Sequence, residues 1–173
     1  PMFTCTAATL LPSNSGRDAF NAATGAGLLQ LRPLFEGSSV AAVQVNMGAP
    51  IFEPERVPVA LKNSDVQPDA NGRAWVAGHT IEVEGRTLPL ACVSMGNPHA
   101  IAFLDEDPDT FPLESIGPKV EHHPFFPRRV NFHIAQVQSR GSIKMRTWER
   151  GAGMTLACGT GACATAVAAH ALG

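Results

Sequence analysis

The stretch "TLACGTGACATAVAAH", Thr155 to His170, decides how this chain folds. From Gly159 to Leu172 almost every side chain is small and apolar, with only Thr160, Thr165 and His170 bringing polarity. Alanine favours helix, and a helix apolar on nearly all sides is expected to be enclosed. The expected fold is therefore α/β (α+β): a mixed or antiparallel sheet curved around this one central helix. At the helix start, Gly159, Thr160 and Gly161 would present backbone N–H groups that have no intrahelical partner. Such a turn suits a carboxylate or phosphate. Cys158 stands just before it, where the N–H groups and the helix dipole are expected to stabilise a thiolate and lower its pKa. The rival reading is a small buried hydrophobe at a tight turn. Cys163, inside the helix, reads as packing.

The rest of the chain bounds the function. It has 173 residues, 45 % of them hydrophobic and 16 % charged, with a formal net charge of −2. This is a globular composition with a core. No basic field offers itself to nucleic acid, and no apolar run approaches the roughly 18 residues of a membrane span. The beginning, "PMFTCTAATLLPSNSG", reads poorly as a signal peptide. Cys5, Cys92, Cys158 and Cys163 have neither paired zinc spacing nor the two-residue gap of a redox pair. Reduced thiols and a cytoplasmic location are expected, with no metal and no cofactor.

Working back from the helix, the chain reads as strand after strand. Gly and Pro number 16 and 14, so turns should be many and helices few. Strands are expected in "VQVNM" (Val43–Met47), "AWVAG" and "HTIEV", "PLACVS", "AIAFL", "VNFHIAQ" and "SIKMRTW". Turns are expected at Asn71–Arg73, Glu84-Gly85 and Arg140-Gly141, and a short helix around Phe111 to Val120. With few helical crossovers, this order argues against a Rossmann unit. Residues 1–42 stay unassigned: a loop or a weak helix begun at Ser15, then "GLLQLRPLF", which Pro33 interrupts.

Three further groups carry possible chemistry. In "ERGAG", Glu149 and Arg150 close a strand, and Arg150 can grip a carboxylate bidentately or simply form a strand-end ion pair. In "SMGNPHAIAF", Asn97 precedes Pro98, which restricts its backbone. It can serve a polar ligand or an Asx-turn. His99 follows as an acid/base partner or a satisfied hydrogen-bonder. Asn131 starts a strand. His79, His122, His123, His133 and His170 lack a convincing metal spacing.

Taken together, "SMGNPHAIAF", "RRVNFHIAQV" and "ERGAGMTLACGTGACATAVAA", in this order, resemble the C-terminal half of the diaminopimelate epimerase family, and "VQVNMGAPIF" is similar to the strand that opens that half. The resemblance covers about residues 43–173. It implies a cofactor-independent epimerase interconverting LL- and meso-diaminopimelate in lysine biosynthesis. Two pseudo-symmetric lobes would each wrap a sheet around a helix and offer one cysteine. By resemblance, Cys158 is the catalytic cysteine of this lobe, assisted by Glu149 and His99. By the same resemblance Gly159 and Thr160 bind the α-carboxylate, Asn97 and Asn131 bind substrate, and Arg150 recognises the distal carboxylate or its surroundings. Residues 1–42 do not match the other lobe, and Cys5 has no glycine turn after it. The expectation is a truncated lobe, inactive alone, completed by a missing N-terminal lobe or a homodimer partner. Two alternatives stand beside it. One is a related amino-acid racemase or isomerase of the same fold, which would not need the Arg150 clamp. The other is an inactive lobe acting in binding or assembly. A Cys–His hydrolase is a weaker option that requires His99 within reach of Cys158.

Overall fold

The computed structural model describes residues 2–5, 20–24, 27–61, 66–68, 72 and 74–173. The chain divides into two compact units, Pro1–Ala49 and Pro50–Gly173. The sequence expectation put that boundary after Ala42. The strand expected at Val43–Met47 instead belongs to the first unit.

That first unit is a four-stranded antiparallel sheet in the order β1-β4-β3-β2, from β1 (Met2–Cys5), β2 (Phe20–Thr24), β3 (Gly27–Glu36) and β4 (Ser39–Asn46). Pro33 does not interrupt β3. It pairs with Val43 of β4, while β2 pairs only with Gly27 to Leu31. Pro33 therefore lies past the β2 ladder, on a stretch with one neighbouring strand among the described residues, where a missing N–H is tolerated. Ser15, and Asn71 and Arg73 of the turn expected at Asn71–Arg73, lie outside the described residues.

In the second unit a 3-10 turn (Pro54–Arg56) precedes β5 (Gln67–Pro68), β6 (Ala74–Val83), β7 (Arg86–Ser94) and β8 (Pro98–Phe103). The chain then crosses through α1 (Leu113–Glu121) to β9 (Asn131–Ser139) and continues into β10 (Ser142–Glu149), β11 (Gly153–Thr155) and α2 (Gly159–Leu172). The strands form one sheet in the order β11-β10-β9-β8-β7-β6-β5. Only β8 and β9 are parallel, and their connection holds α1, as a parallel pair needs a long crossover. The β6–β7 hairpin turns through Glu84 (φ 53°) and Gly85 (φ 74°). Positive φ at both central residues is the type I′ signature of a two-residue hairpin.

Side chains alternate across the sheet, and each face receives one helix. Toward α1 point Leu88, Leu90, Ala100, Ala102, Phe132 and Ile134, which join Phe111, Leu113, Ile116 and Val120 in the main core. Trp148 packs at its edge so closely to α1 that a Cβ on Gly117 would come within 2.5 Å of the indole. Toward α2 point His99, Ile101, Asn131, His133 and Ala135. A Cβ on Gly161 would meet the His133 ring at 2.4 Å.

The central helix is present where the sequence placed it, but it is not enclosed. It rests on β7, β8 and β9 and buries Gly161, Cys163, Ala164, Thr165 and Ala168, while Ala166, His170 and Leu172 are exposed. The sheet does not wrap it, since β5 and β11 form its two ends and do not pair with each other. The apolar signal from alanine is weak per residue, so one buried face suffices to seat this helix.

Candidate functional site

The last strands deliver the chain to the start of α2. Glu121, buried at the end of α1, accepts the indole N–H of Trp148 at 2.7 Å and the Gly151 amide at 3.0 Å. It thereby ties the loop between β10 and β11 to the core. Thr155 on β11 donates its hydroxyl to Glu149 Oε1 on β10 at 2.6 Å. The paired strands thus hold the Glu149 carboxylate in place.

Cys158 caps α2. Its backbone is extended (φ −133°, ψ 104°), and its Sγ accepts the Gly161 amide at 3.3 Å. A sulfur takes here the place usually held by a Ser, Thr, Asp or Asn oxygen. The first helical bond runs from Ala162 N to Cys158 O at 2.9 Å. The Gly159 and Thr160 amides therefore stand ahead of the helical ladder, among the orphan donors of a helix start. The Thr160 hydroxyl lies 3.5 Å from Sγ.

The thiol is half-buried, and its pKa is raised rather than lowered. Burial is the main cause. The Thr160 and Gly161 hydrogen bonds act against it, and the Glu149 carboxylate adds to the rise. This corrects the expected acidic thiol: the donors at the helix start are present, but desolvation and a nearby carboxylate outweigh them. Cys163 is fully buried, and burial raises its thiol to about 11. Cys92 is buried and shifted further in the same direction.

Asn97 adjoins this cap. Its Nδ2 donates to Thr160 Oγ1 at 3.4 Å, and its Oδ1 lies 2.9 Å from His99 Nε2. His99 Nδ1 is 2.8 Å from His133 Nε2, and His133 Nδ1 is 3.0 Å from Thr147 Oγ1. Both rings are wholly buried. Burial, with the Arg150 charge a smaller contributor, pushes His99 down to about 3. Burial and the neighbouring His99 hold His133 well below the usual histidine range. Both rings are therefore neutral at neutral pH. His99 spends both ring nitrogens on Asn97 and His133 and reaches Cys158 only through Asn97 and Thr160. That geometry lacks the direct pair a Cys–His hydrolase needs.

Asn131 acts as a staple. Its Nδ2 donates to the Pro98 carbonyl at 2.8 Å, and its Oδ1 accepts the Arg150 amide at 2.9 Å. Arg150 is exposed, with Nη1 on the Arg128 carbonyl at 3.2 Å. The structure thus brings Asn97, His99, Glu149, Cys158, Gly159 and Thr160 to the start of α2, and Asn131 ties Arg150 to the same end of the sheet.

Sequence reasoning missed the roles of His133, Thr147, Thr155 and Glu121, and the close approach of Gly161 to the His133 ring. The available clue was period-two spacing, since His133 follows Asn131 by two residues on one strand. Its meaning depends on the β8–β9 register, which pairs His99 with Asn131 and Ile101 with His133. Among the described residues, no group of three or more His, Cys, Asp or Glu side chains is arranged to hold a metal ion. No helix among them is long and apolar enough to cross a membrane.

Comparison with known proteins adds to this geometry. Residues 91–173 match the family model described as diaminopimelate epimerase. A diaminopimelate epimerase of Moorella thermoacetica is 50 % identical over 145 residues, covering 84 % of this chain and 48 % of the relative. One from Acetivibrio thermocellus is 44 % identical over 154 residues, 89 % of this chain and 51 % of the relative. Diaminopimelate epimerase 1 of Nostoc sp. is 48 % identical over 155 residues, 88 % of this chain and 50 % of the relative. The chain spans about half the length of the curated relatives it matches, their C-terminal half.

Proposed function

We propose that this chain, whose residues 91–173 belong to the diaminopimelate epimerase family, supplies one reacting face of a cofactor-independent, two-base epimerase acting on diaminopimelate. One observation carries the reading: a half-buried thiol receives the Gly161 amide while the Gly159 and Thr160 amides stand ahead of the helical ladder. Inversion at carbon needs a base on one face and an acid on the other. A raised pKa keeps Cys158 protonated at rest, which suits the acid. Its S–H bond breaks as a new C–H bond forms at the α-carbon. The thiolate left behind is met by the Gly161 amide and the Thr160 hydroxyl. In the reverse direction the same sulfur takes the proton. The base on the opposite face is a group that the described cysteines do not supply.

The other residues orient. Gly159 and Thr160 amides suit the α-carboxylate. Asn97 is aimed by His99 at Thr160. Arg150, exposed and held through its backbone amide by Asn131, suits a second carboxylate. That clamp favours a dicarboxylate over the monocarboxylate of a related racemase. Burial first, and the Glu149 carboxylate after it, keep the Cys158 thiol protonated and neutral.

A second reading is a lobe that binds substrate or a partner without inverting anything. It is favoured by the single half-exposed thiol among the described cysteines, since one thiol cannot serve both faces. The test is α-hydrogen exchange of diaminopimelate in deuterated water, followed by NMR. The chain alone is expected to give none. Once co-elution with the N-terminal half of a relative is established, exchange is expected to appear and to vanish in Cys158→Ala. Exchange that persists in Cys158→Ala refutes the role given to this thiol. Co-elution and ligand binding without exchange favour the binding lobe.

A further inference from the structure

Beneath the cap runs an unbroken hydrogen-bonded line: Thr147, His133, His99, Asn97, Thr160, Cys158. Its direction follows from the Asn97 amide. Asn97 donates through Nδ2 to Thr160, so its Oδ1 faces His99 Nε2 and that nitrogen carries the hydrogen. A neutral imidazole has one donor and one acceptor nitrogen, so His99 Nδ1 accepts from His133 Nε2–H. His133 Nδ1 is then an acceptor, and the Thr147 hydroxyl donates to it. At the other end Thr160 has already accepted from Asn97, which leaves its own proton for Cys158 Sγ.

We propose that His133 and Thr147, neither of which hydrogen-bonds Cys158, are positioning residues that hold His99 and Asn97 in the direction the amide sets and so aim the Thr160 hydroxyl proton at the Cys158 thiolate. His133 has a second hold on the site. A Cβ on Gly161 would sit 2.4 Å from His133 Cε1 and 3.1 Å from Cys158 Sγ. The first turn of α2 therefore rests on this ring, and a side chain at Gly161 would crowd both the ring and the sulfur that its amide meets.

The line is neutral in the folded protein. Burial keeps both imidazoles unprotonated at neutral pH, so neither ring becomes a double donor that would reverse it. The charged groups facing it are Arg150 near His99 and Glu149 near Cys158. Neither interrupts the chain of bonds. The inference uses the reading of Cys158 as the proton-carrying group, and two separate observables keep the two apart.

The experiment is NMR on the full chain with 15N-labelled histidine and 13Cβ-labelled cysteine. In the wild type, His99 and His133 are expected as neutral Nε2–H tautomers from pH 5.5 to pH 8. Thr147→Val keeps the shape and removes the donor, and Thr147→Ser keeps the donor. Thr147→Val should shift both ring signals and cut the Cys158 thiolate fraction at a given pH by about 3- to 10-fold, the loss expected when a donor to a charged group is misaimed. Thr147→Ser should restore both. An Nδ1–H tautomer at either ring in the wild type overturns the proposal. So does a folded Thr147→Val whose His99 signal and Cys158 titration are unmoved. If Cys158 does not titrate at all in the wild type while the tautomers are as stated, the acid role fails and, with it, the purpose given to the line.

Discussion

The two faces of the second unit's sheet are built from the same strands and do opposite work. On β9, Phe132 and Ile134 face α1, and Asn131 and His133 face α2. On β8, Ala100 and Ala102 face α1, and His99 and Ile101 face α2. Depth of burial does not separate the faces, because Phe132, Ile134, His99 and His133 are all wholly buried. What separates them is how burial is made tolerable. The α1 face removes apolar surface from water, which is worth roughly 25 cal/mol per Å2. The α2 face buries imidazoles and an amide, and each polar atom must find a partner or cost about 1–3 kcal/mol. A stable face can be assembled from many interchangeable contacts. A polar face works only as a connected whole, and here its end is the thiol at the helix start.

Four perturbations would break or sharpen that contrast. Phe132→Ala removes a ring from the α1 core and is expected to cost about 3–5 kcal/mol in urea unfolding, leaving the histidine tautomers of the folded fraction unchanged. Altered tautomers would show that the faces are coupled.

Acid should act on the α2 face. His99 and His133 have folded pKa values below their unfolded ones. Below about pH 6.5 the unfolded chain therefore binds protons that the native rings refuse, and stability falls as pH falls toward 3. Two such rings give a loss of about 2–3 kcal/mol between pH 7 and pH 5.5, visible as a drop in urea midpoint. The drop should shrink in His133→Gln. A flat profile over that window would mean the rings protonate in place.

Gly117→Ala tests close packing on the α1 face. Alanine in a helix interior is normally favoured over glycine by about 1 kcal/mol, but here its Cβ would lie 2.5–2.8 Å from the Trp148 ring. Overpacking should reverse the sign to a loss of about 1–3 kcal/mol, and a gain in thermal midpoint would contradict the tight contact. The smallest effect belongs to Thr165 in α2. Its buried hydroxyl has no hydrogen-bond partner among the described residues. Thr165→Val should stabilise the chain by about 1 kcal/mol, read from the same denaturation curves.

The contrast also explains how much could be read from the sequence. The helix Gly159–Leu172, the strands from Ala74 to Glu149 and the I′ turn at Glu84-Gly85 follow from alternation, turn residues and alanine content, all local properties. The residues at the helix start were legible for the same reason, since Cys158, Gly159 and Thr160 are neighbours in the chain. The partnership of His99 with His133 was not, because it depends on a parallel register set across the α1 crossover. Nor was the direction of the Cys158 shift. The helix-start donors are written in the sequence, whereas the desolvation and the approach of Glu149 that outweigh them come from packing. The strand that runs through Pro33 was obscured because a proline's tolerance depends on which ladder lies beside it.

The central claim is that the α2 face leads to one reachable, proton-carrying thiol. Alkylation of the native chain with iodoacetamide from pH 7 to pH 10, with Cys92, Cys158 and Cys163 resolved by peptide mass spectrometry, tests it most directly. Cys158 is expected to label at least tenfold faster than the two buried cysteines, as a thiolate fraction and access together require. Its rate should rise with a midpoint above about 8.5 and shift downward in Glu149→Gln. Equal labelling of Cys158 and Cys163 in the folded chain, or a Cys158 midpoint well below that of a free thiol, would contradict the account.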